Sequence, residues 1–195
     1  MGQYFSNVEI KSEIQLFKTN VLGMDYAFYT DNGVFSKNRL DFGTRTLLEN
    51  LPLETLHGNV LDVGCGYGVI DIVLGKLTDA FYEGVDVNRR AIHLSEMNAK
   101  LNNVMNVRFF ESNTYELVNK KYNFIITNPP IRAGKKIVYD IVMNARKHLE
   151  DNGVLYIVIR KEQGAKSMLK DLEVYYKTEI ITKNKGFFVI KCILR

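Results

Sequence analysis

Cysteine is scarce in this sequence: Cys65 and Cys192 are the only two among 195 residues. No C-x-x-C pair occurs, and neither cysteine is grouped with His57, His93 or His148. This spacing excludes a disulfide-dense scaffold and the usual Cys/His zinc sites. A chain of this length buries roughly 70% of the surface that it exposes when unfolded, so its core needs neither a disulfide nor a structural metal. We therefore expect no metal and a reducing, cytoplasmic setting.

Long apolar runs are also absent. Glu9, Lys11, Glu13 and Lys18 interrupt the beginning of the sequence, which therefore does not have the pattern of a secretory signal. No apolar stretch is long enough to span a bilayer. We expect a protein that works away from the membrane.

The sequence contains no internal repeat, low-complexity tract or proline-rich linker. Hydrophobic residues make up 46% and charged residues 25%, which is the balance of an ordinary globular domain. We expect one domain, and a monomer, over residues 1–195, with residues 1–50 as an N-terminal extension and residues 51–195 as the core. The formal net charge of +4 is compatible with a polyanionic partner but is too small to identify one.

A regular alternation begins at Val60. Short apolar runs alternate there with helix-length amphipathic stretches, a pattern typical of parallel strands joined by crossover helices. The predicted strands are residues 60–63, 81–85, 107–110, 124–127 and 154–159. The predicted helices are residues 89–101 and 137–149, the second ended by Asn152-Gly153. The fold class is therefore α/β.

Two hairpins are predicted outside this pattern. Residues 174–181 and 187–194 flank a polar turn, which predicts an antiparallel pair on an otherwise parallel sheet. Near the start of the sequence, residues 30–33 (Thr-Asp-Asn-Gly) form a turn sequence between two apolar stretches and predict a second hairpin. A helix is predicted to follow it over residues 39–51.

The strongest local signal is the segment Val60-Leu61-Asp62-Val63-Gly64-Cys65-Gly66-Tyr67-Gly68, a strand that runs into a glycine-rich turn and opens a helix. Glycines let the backbone approach a ligand closely, and free N–H groups at a helix start favour polar or anionic ligand groups. Asp86 follows the first glycine by about 20 residues, where a ribose-binding carboxylate is found in nucleotide-binding folds. The spacing is G-x-G-x-G rather than the nicotinamide pattern, and Asp62 suits the amino end of a methionine-like ligand. These features indicate a nucleoside cofactor.

The second signal is Asn128-Pro129-Pro130-Ile131 at the end of an apolar strand. Two prolines fix φ and remove two N–H donors, so the turn is stiff and its carbonyls can point into a cleft. The amide of Asn128 adds a further acceptor, and the set can accept both hydrogens of an aromatic amine. A Pro-Pro pair by itself is also a common strand stop. Its place downstream of the glycine-rich turn favours the amine site.

These motifs together resemble the class I S-adenosylmethionine-dependent methyltransferases that carry an N-P-P-hydrophobic motif and act on planar amines. Over nearly its whole length the chain resembles small single-domain relatives of the ribosomal RNA small-subunit guanine-N2 methyltransferases. The matching segments are D-x-G-V-F-S-K from Asp31, D-x-G-T from Asp41, the glycine-rich turn, D-x-N from Asp86, N-P-P-I-R-A-G-K from Asn128 and K-x-Q-G-A from Lys161. The resemblance implies a Rossmann-like fold with a mainly parallel seven-stranded sheet, helices on both faces and a C-terminal antiparallel hairpin.

The resemblance also implies the roles of individual residues. Asn128, Pro129, Pro130 and Ile131 would form the catalytic motif around the target amine. The residues implied to bind S-adenosylmethionine are Phe35, Lys37, Asp41, Gly43, Asp62, Gly64, Cys65, Gly66, Tyr67, Gly68, Asp86, Val87, Asn113 and Asn128. The departures from the family pattern are Asn113 in place of a frequent aspartate, Asn123 in place of a frequent acid, Asp71 in place of a frequent glycine, and Glu162 and Lys166 in place of a lysine and a proline. The implied substrate is ribosomal RNA or the small ribosomal subunit, methylated on guanine N2.

Basic residues follow two of the predicted strands. Arg132, Lys135 and Lys136 come after the N-P-P turn, and Arg160 and Lys161 end the last parallel strand. Ligands of open α/β sheets lie outside the carboxyl ends of the strands, so these side chains are candidate phosphate contacts. Phe187 is a candidate platform for a base. The ordinary alternatives are solvated basic side chains and a phenylalanine of the core.

Other functions remain open at this point. A nicotinamide-dependent oxidoreductase would share the fold but would give the Asn-Pro-Pro-Ile segment no role. A non-catalytic RNA-binding module would leave the glycine-rich turn and Asp86 unused. Among methyltransferases, adenine N6 and a protein glutamine amide are the competing targets, because N-P-P sites also act on those amines.

Overall fold

A seven-stranded sheet forms the centre of the protein in a computed structural model that describes residues 11–36 and 39–195. Its strands are β3 (Asn59–Val63), β4 (Phe81–Asp86), β5 (Val107–Glu111), β6 (Tyr122–Thr127), β7 (Leu149–Arg160), β8 (Tyr176–Asn184) and β9 (Phe187–Leu194). The order across the sheet is β5-β4-β3-β6-β7-β9-β8. Strand β9 is antiparallel to both of its neighbours, and the other pairings are parallel. The sheet therefore confirms the predicted parallel strands and the C-terminal hairpin.

Helices cover both faces of the sheet, as predicted. They are α1 (Phe42–Leu48), α2 (Val69–Leu77), α3 (Arg89–Leu101), α4 (Lys135–Asn144) and α5 (Ala165–Leu172). Because side chains alternate along a strand, Val60 belongs to the apolar cluster that contains α2 and α3, whereas Leu61 belongs to the cluster that contains α4 and α5. The two clusters lie on opposite faces of one mainly parallel sheet, which is a Rossmann-like arrangement. Within the described residues, no helix is both long and apolar enough to cross a membrane.

A separate two-stranded sheet packs against the first of these faces. Strands β1 (Gln15–Val21) and β2 (Met24–Thr30) are antiparallel. The free edge of β2 pairs with two asparagines instead of a further strand, Asn98 in α3 and Asn102 at its C-cap. Asn98 exchanges two hydrogen bonds with the Tyr29 backbone, at 2.7 and 3.0 Å, and Asn102 exchanges two with the Ala27 backbone, at 3.2 and 2.8 Å. These amides satisfy an edge that is otherwise unpaired.

The predicted N-terminal hairpin was wrong in its turn. The chain reverses at Leu22-Gly23, and the strand at residues 24–30 pairs with the residues before it. That register buries Val21, Tyr26 and Phe28 in the core. A partner strand made of residues 34–35 alone would be too short to pair along the whole of residues 24–30. The Thr-Asp-Asn-Gly segment is a turn that does not join two paired strands. It is held instead by Asn88, whose Nδ2 donates to the Gly33 carbonyl at 2.9 Å. The predicted helix at residues 39–51 is confirmed as the shorter α1.

The predicted end of the second amphipathic helix was also wrong. Helix α4 ends at Asn144, a short 3₁₀ turn (Ala145–Lys147) follows, and Asn152-Gly153 lies inside β7. Asn152 has a φ of 62°, and the pairing of β6 with β7 shifts register at this point. The Asn-Gly pair therefore marks an irregularity in a strand, where a positive φ is also required.

Candidate active site

A cavity of about 960 Å³ opens at the carboxyl ends of β3, β4 and β6. The strand order reverses between β3 and β6, because β4 and β5 lie on one side of β3 and β7 lies on the other side of β6. Ligands of doubly wound sheets bind at such a reversal. The glycine-rich turn, Asp86, the Asn-Pro-Pro-Ile segment and residues of α1 all line the cavity. The topology thus brings together motifs that are far apart in the sequence.

The glycine-rich turn is held open by positive φ angles at its three glycines. These angles are 82° at Gly64, 57° at Gly66 and 85° at Gly68, values that L side chains rarely adopt. Gly64 and Gly66 line the cavity. Gly68 serves packing instead, since a Cβ there would lie 2.9 Å from Ser95 Cβ and 3.0 Å from Phe109 Cζ. The turn therefore presents its first two glycines to a ligand and uses the third to bring α2 close to α3 and β5.

Asp86 stands at the end of β4 and lines the cavity. Its Oδ2 accepts from the Gly66 N–H at 3.0 Å, and its Oδ1 accepts from the Asn88 N–H at 2.9 Å. Burial raises the pKa of this carboxyl, while these backbone hydrogen bonds act in the opposite direction. A third backbone hydrogen bond comes from Val87, and the lone pairs that remain on the carboxylate can accept from a ribose.

Asp62 lies beneath the turn and does not reach the cavity. Its carboxyl is buried beside that of Asp71 in α2, and neither side chain is more than 1% exposed. Among the described residues, the four carboxyl oxygens find no donor apart from a proton shared between the two acids. Burial raises the pKa of Asp62 well above its usual range and that of Asp71 to about 7. The pair therefore holds a proton at neutral pH.

Cys65 and Tyr67 line the cavity without being reactive. Burial raises the pKa of the Cys65 thiol well above its usual value, and the nearby carboxyls of Asp71, Asp86 and Asp62 raise it further. Burial also raises the pKa of the Tyr67 phenol. Both groups remain protonated at neutral pH, so neither supplies a nucleophile or a general base.

Asn128 is fixed by two side chains of the N-terminal part. Its Nδ2 donates to Asp41 Oδ2 at 3.0 Å and to Thr44 Oγ1 at 2.9 Å. The amide oxygen therefore lies on the opposite side of Cγ. The neighbouring Pro130 faces the glycine-rich turn, because a Cβ on Gly64 would lie 3.6 Å from Pro130 Cδ. The Asn-Pro-Pro segment and the glycine-rich turn are thus in contact across the cavity.

Two aromatic rings in contact with each other, with a cation at each end, form a row at one side of the cavity. The Arg160 guanidinium lies 4.9 Å from the Phe187 ring centroid, Phe187 lies 5.6 Å from Phe42, and the Lys185 ammonium lies 5.2 Å from Phe42. We call these four side chains the rim row. Gly43 makes room for it, since a Cβ there would lie 2.8 Å from Phe187 Cε1. Two cations on aromatic supports thus stand beside the cavity.

The structure brings most of the predicted site residues to this cavity. Those that line it are Phe35, Asp41, Gly64, Cys65, Gly66, Tyr67, Asp86, Asn128, Pro129, Pro130, Ile131, Arg132 and Phe187. Other described residues of the predicted set lie outside its lining, namely Gly43, Asp62, Gly68, Val87, Asn113, Lys135 and Lys161. Asn113 is exposed and bonds Glu116 at 2.7 Å, and Lys135 lies over the Tyr139 ring. Lys37 lies outside the described residues.

Sequence reasoning missed several lining residues, among them Thr44, Asn88, Gln163 and Lys185, whereas Arg160, expected on this face, does line the cavity. Three of them were already within reach of the motifs, because Thr44 belongs to D-x-G-T, Asn88 to D-x-N and Gln163 to K-x-Q-G-A. Lys185 had no signal, since a lysine in a hairpin turn is ordinarily solvated. Metal binding finds no candidate among residues 11–36 and 39–195, where no three His, Cys, Asp or Glu side chains are grouped.

The fold and this cavity define a class I methyltransferase, in which the glycine-rich turn and Asp86 fit a nucleoside and the Asn-Pro-Pro turn fits an amine. The model of the methyltransferase small domain family matches residues 25–191, and the chain belongs to this family. Its cofactor is S-adenosylmethionine. The residues present fit that cofactor, because two glycines without side chains, Gly64 and Gly66, face the same cavity as the Asp86 carboxylate.

Similar proteins fall into two groups by length. The uncharacterised protein YbxB of Bacillus subtilis strain 168 is 40% identical over 192 residues, which cover 96% of each chain. The ribosomal RNA small subunit methyltransferase C of Psychromonas ingrahamii is 30% identical over 93% of this chain and 52% of its own. The structure of T. thermophilus 16S rRNA N2 methyltransferase RsmC, in complex with AdoMet and guanosine, has a TM-score of 0.85 and 24% identity, over 96% of this chain and 52% of its own. The chain thus spans about half the length of these methyltransferase C relatives.

Proposed function

We propose that this protein methylates the exocyclic N2 of a guanine in small-subunit ribosomal RNA. The observation that carries this proposal is the orientation of Asn128, whose nitrogen is taken up by Asp41 and Thr44. The atom left for a ligand is an amide oxygen, which accepts hydrogen bonds and cannot donate them. Such an acceptor beside the Pro129 carbonyl suits an amine with two hydrogens.

The cofactor would lie between the glycine-rich turn and Asp86. Asp86 would accept from the ribose hydroxyls, and the backbone at Gly64 and Gly66 would border the methionine end. Asp62 would act from below the turn, because it is buried and does not line the cavity. When bound, S-adenosylmethionine supplies an electrophilic methyl carbon on a sulfonium sulfur.

The residues around the amine then have a defined task. The nitrogen lone pair of an aromatic amine is delocalised into the ring, so the nitrogen must become pyramidal before it attacks. Hydrogen bonds from its two hydrogens to Asn128 Oδ1 and the Pro129 carbonyl favour that geometry and stabilise the charge that develops on nitrogen. The N–C bond forms as the C–S bond breaks with its electron pair left on sulfur, and the nitrogen then releases a proton to solvent. No strong base is needed, because the methylated nitrogen is acidic.

The choice of guanine in RNA depends on similarity and on charge. Relatives that are 30–33% identical over most of this chain bear the name ribosomal RNA small subunit methyltransferase C. Arg132 also lines the cavity, and Arg160 and Lys185 of the rim row carry positive charge beside it. These cations are placed to contact phosphates on either side of a nucleotide whose base enters the cavity.

The test uses labelled S-adenosylmethionine with naked 16S rRNA, assembled small subunits and total protein as acceptors. Nuclease digestion of the RNA is expected to release label as N2-methylguanosine. Label recovered as N6-methyladenosine, or in protein alone, would replace this proposal by one of the competing amines. Absence of label from every RNA and subunit preparation would also overturn it.

A further inference from the structure

We infer that Asp41 and Thr44 are positioning residues for the methyl transfer, which hold the Asn128 amide in the orientation that presents its oxygen to the target amine. This inference rests on the proposed function. It gives Asp41 a different task from cofactor binding, and it gives Thr44 a task in the reaction. Both residues would act through Asn128.

The orientation of the amide follows from the chemistry of its partners. A carboxylate only accepts hydrogen bonds, so the Asn128 atom 3.0 Å from Asp41 Oδ2 must be the nitrogen. The second amide hydrogen goes to Thr44 Oγ1 at 2.9 Å. The Thr44 hydroxyl directs its own hydrogen toward Asp41 Oδ2, at 3.4 Å, and so keeps a lone pair for Asn128. Every donor in this triangle has an acceptor.

The alternative amide orientation would oppose the reaction. A half-turn of the Asn128 amide would turn its NH₂ group toward an amine that itself offers two hydrogens, so donors would face donors. It would also bring the amide oxygen against the Asp41 carboxylate. The triangle therefore excludes the unproductive orientation before substrate binds, which is preorganisation of an acceptor.

Thr44 also offers a test within a single helix. The Thr44 side chain is 7% exposed, and Thr46, two residues further along the helix, is 1% exposed. Thr46 Oγ1 donates to the Phe42 carbonyl at 2.8 Å, within α1. A threonine-to-valine change at either position removes one buried hydroxyl from the same helix, but only the change at Thr44 removes a partner of Asn128. Thr46→Val is thus a matched control for the loss of folding stability.

Asp41 needs a variant that separates two roles, because its Oδ2 also accepts from the Thr44 N–H at 2.9 Å and so caps α1. Serine is as good an N-cap as aspartate, but its side chain is shorter and does not extend to Asn128. Asp41→Ser therefore keeps the cap and removes the acceptor. Asp41→Asn keeps both, since an amide oxygen can replace the carboxylate oxygen.

The first measurement is the split between turnover and binding with ribosomal RNA as acceptor. Thr44→Val and Asp41→Ser are expected to lower kcat roughly tenfold to a hundredfold, with KM for RNA and Kd for S-adenosylhomocysteine within about twofold of the parent. Thr44→Ser and Asp41→Asn are expected to restore most of the rate. A loss of kcat in Thr44→Val that is no larger than in Thr46→Val would overturn the inference.

The second measurement needs no RNA. In ¹⁵N-labelled protein, the side-chain NH₂ signals of Asn128, assigned by their loss in Asn128→Asp, report the two hydrogen bonds directly. They are expected to move and to exchange faster with solvent in Thr44→Val and Asp41→Ser, and to stay in place in Thr46→Val. Signals unmoved in Thr44→Val would refute the orientation itself. A parent protein that methylates no RNA but shows the expected shifts would refute the proposed substrate and support the orientation.

Discussion

The carboxyl groups of Asp62 and Asp71 lie side by side in a layer that solvent does not reach, where they can share one proton. Asp71 lies in the first turn of α2. The other titratable groups that face this pair are Cys65, Tyr82 and Asp86, and none of them carries positive charge. Loss of the proton that the two acids share should therefore lower the free energy of unfolding as the pH rises.

This pairing predicts a particular dependence of stability on pH. A carboxyl whose pKa is raised by folding binds its proton more tightly in the folded state, so its contribution is fully present below the unfolded pKa of about 4. That contribution is lost as the pH rises through the folded value, about 7 for Asp71. Asparagine does not ionise, so Asp71→Asn does not suffer this loss. The difference in free energy of unfolding between the variant and wild type should therefore grow in favour of the variant by roughly 2–3 kcal/mol from pH 5 to pH 8. Urea titrations at both pH values measure this difference, and parallel pH profiles of the two proteins would rule it out.

Asp86 should determine cofactor affinity. Asp86→Ala removes the carboxylate that would accept from the ribose and also frees the Gly66 N–H. Loss of hydrogen bonds to a charged group costs roughly 1.5–3 kcal/mol, so Kd for S-adenosylhomocysteine should rise about tenfold to a hundredfold. Isothermal titration calorimetry measures this constant. Asp86→Asn retains one acceptor oxygen, so its Kd should lie between those of wild type and Asp86→Ala. Unchanged affinity in Asp86→Ala would show that the ribose binds elsewhere.

Arg160 and Lys161 are adjacent in the sequence but differ in position, since Arg160 lines the cavity and Lys161 does not. If the rim row contacts phosphates, Arg160→Ala should weaken RNA binding and reduce the slope of log K against log salt by up to about one. Lys161→Ala should change that slope much less, contrary to the expectation from sequence. Filter binding at four salt concentrations compares the two variants. Equal effects would mean that the RNA covers a wider surface than the cavity mouth.

Asn128→Ala should slow the chemical step. The variant removes the acceptor oxygen and leaves Asp41 and Thr44 without their partner. By analogy with the removal of one oxyanion-hole donor, single-turnover transfer should fall roughly a hundredfold to a thousandfold with both ligands saturating. RNA affinity should change little. A near-normal single-turnover rate would reduce the Asn-Pro-Pro-Ile segment to a strand stop.

The alternation of strands and helices was predictable because each kind of element has a characteristic hydrophobic pattern in its own local sequence. The parallel strands are continuous apolar runs, as in residues 154–159, because both faces of such a sheet are covered. The glycine-rich turn and the Asn-Pro-Pro-Ile segment were predictable for a related reason. A positive φ angle favours glycine, and a turn with fixed φ angles favours proline. Both motifs can therefore be recognised from their residue types.

Pairings between distant segments could not be predicted in the same way. Strand β2 was expected to pair with the residues after it, because the Thr-Asp-Asn-Gly turn is a strong local signal, whereas the buried face of Tyr26 and Phe28 selects the strand before it. The role of Gly43 depends on a phenylalanine 144 residues later in the chain, Phe187. The contact of Asp41 with Asn128 likewise joins segments 87 residues apart. Such relationships exist only once the sheet has assembled.

Strand β9 lies between β7 and β8, although the ribosome makes it after both. Until residues 187–194 have left the exit tunnel, neither β7 nor β8 has its neighbour on that side, and each presents an open edge to other nascent chains. The interval before residues 187–194 emerge is thus one in which both edges can pair with another chain. Phe187, which begins β9, carries the Arg160 side chain at the cavity. One strand therefore completes both the sheet and this wall of the cavity.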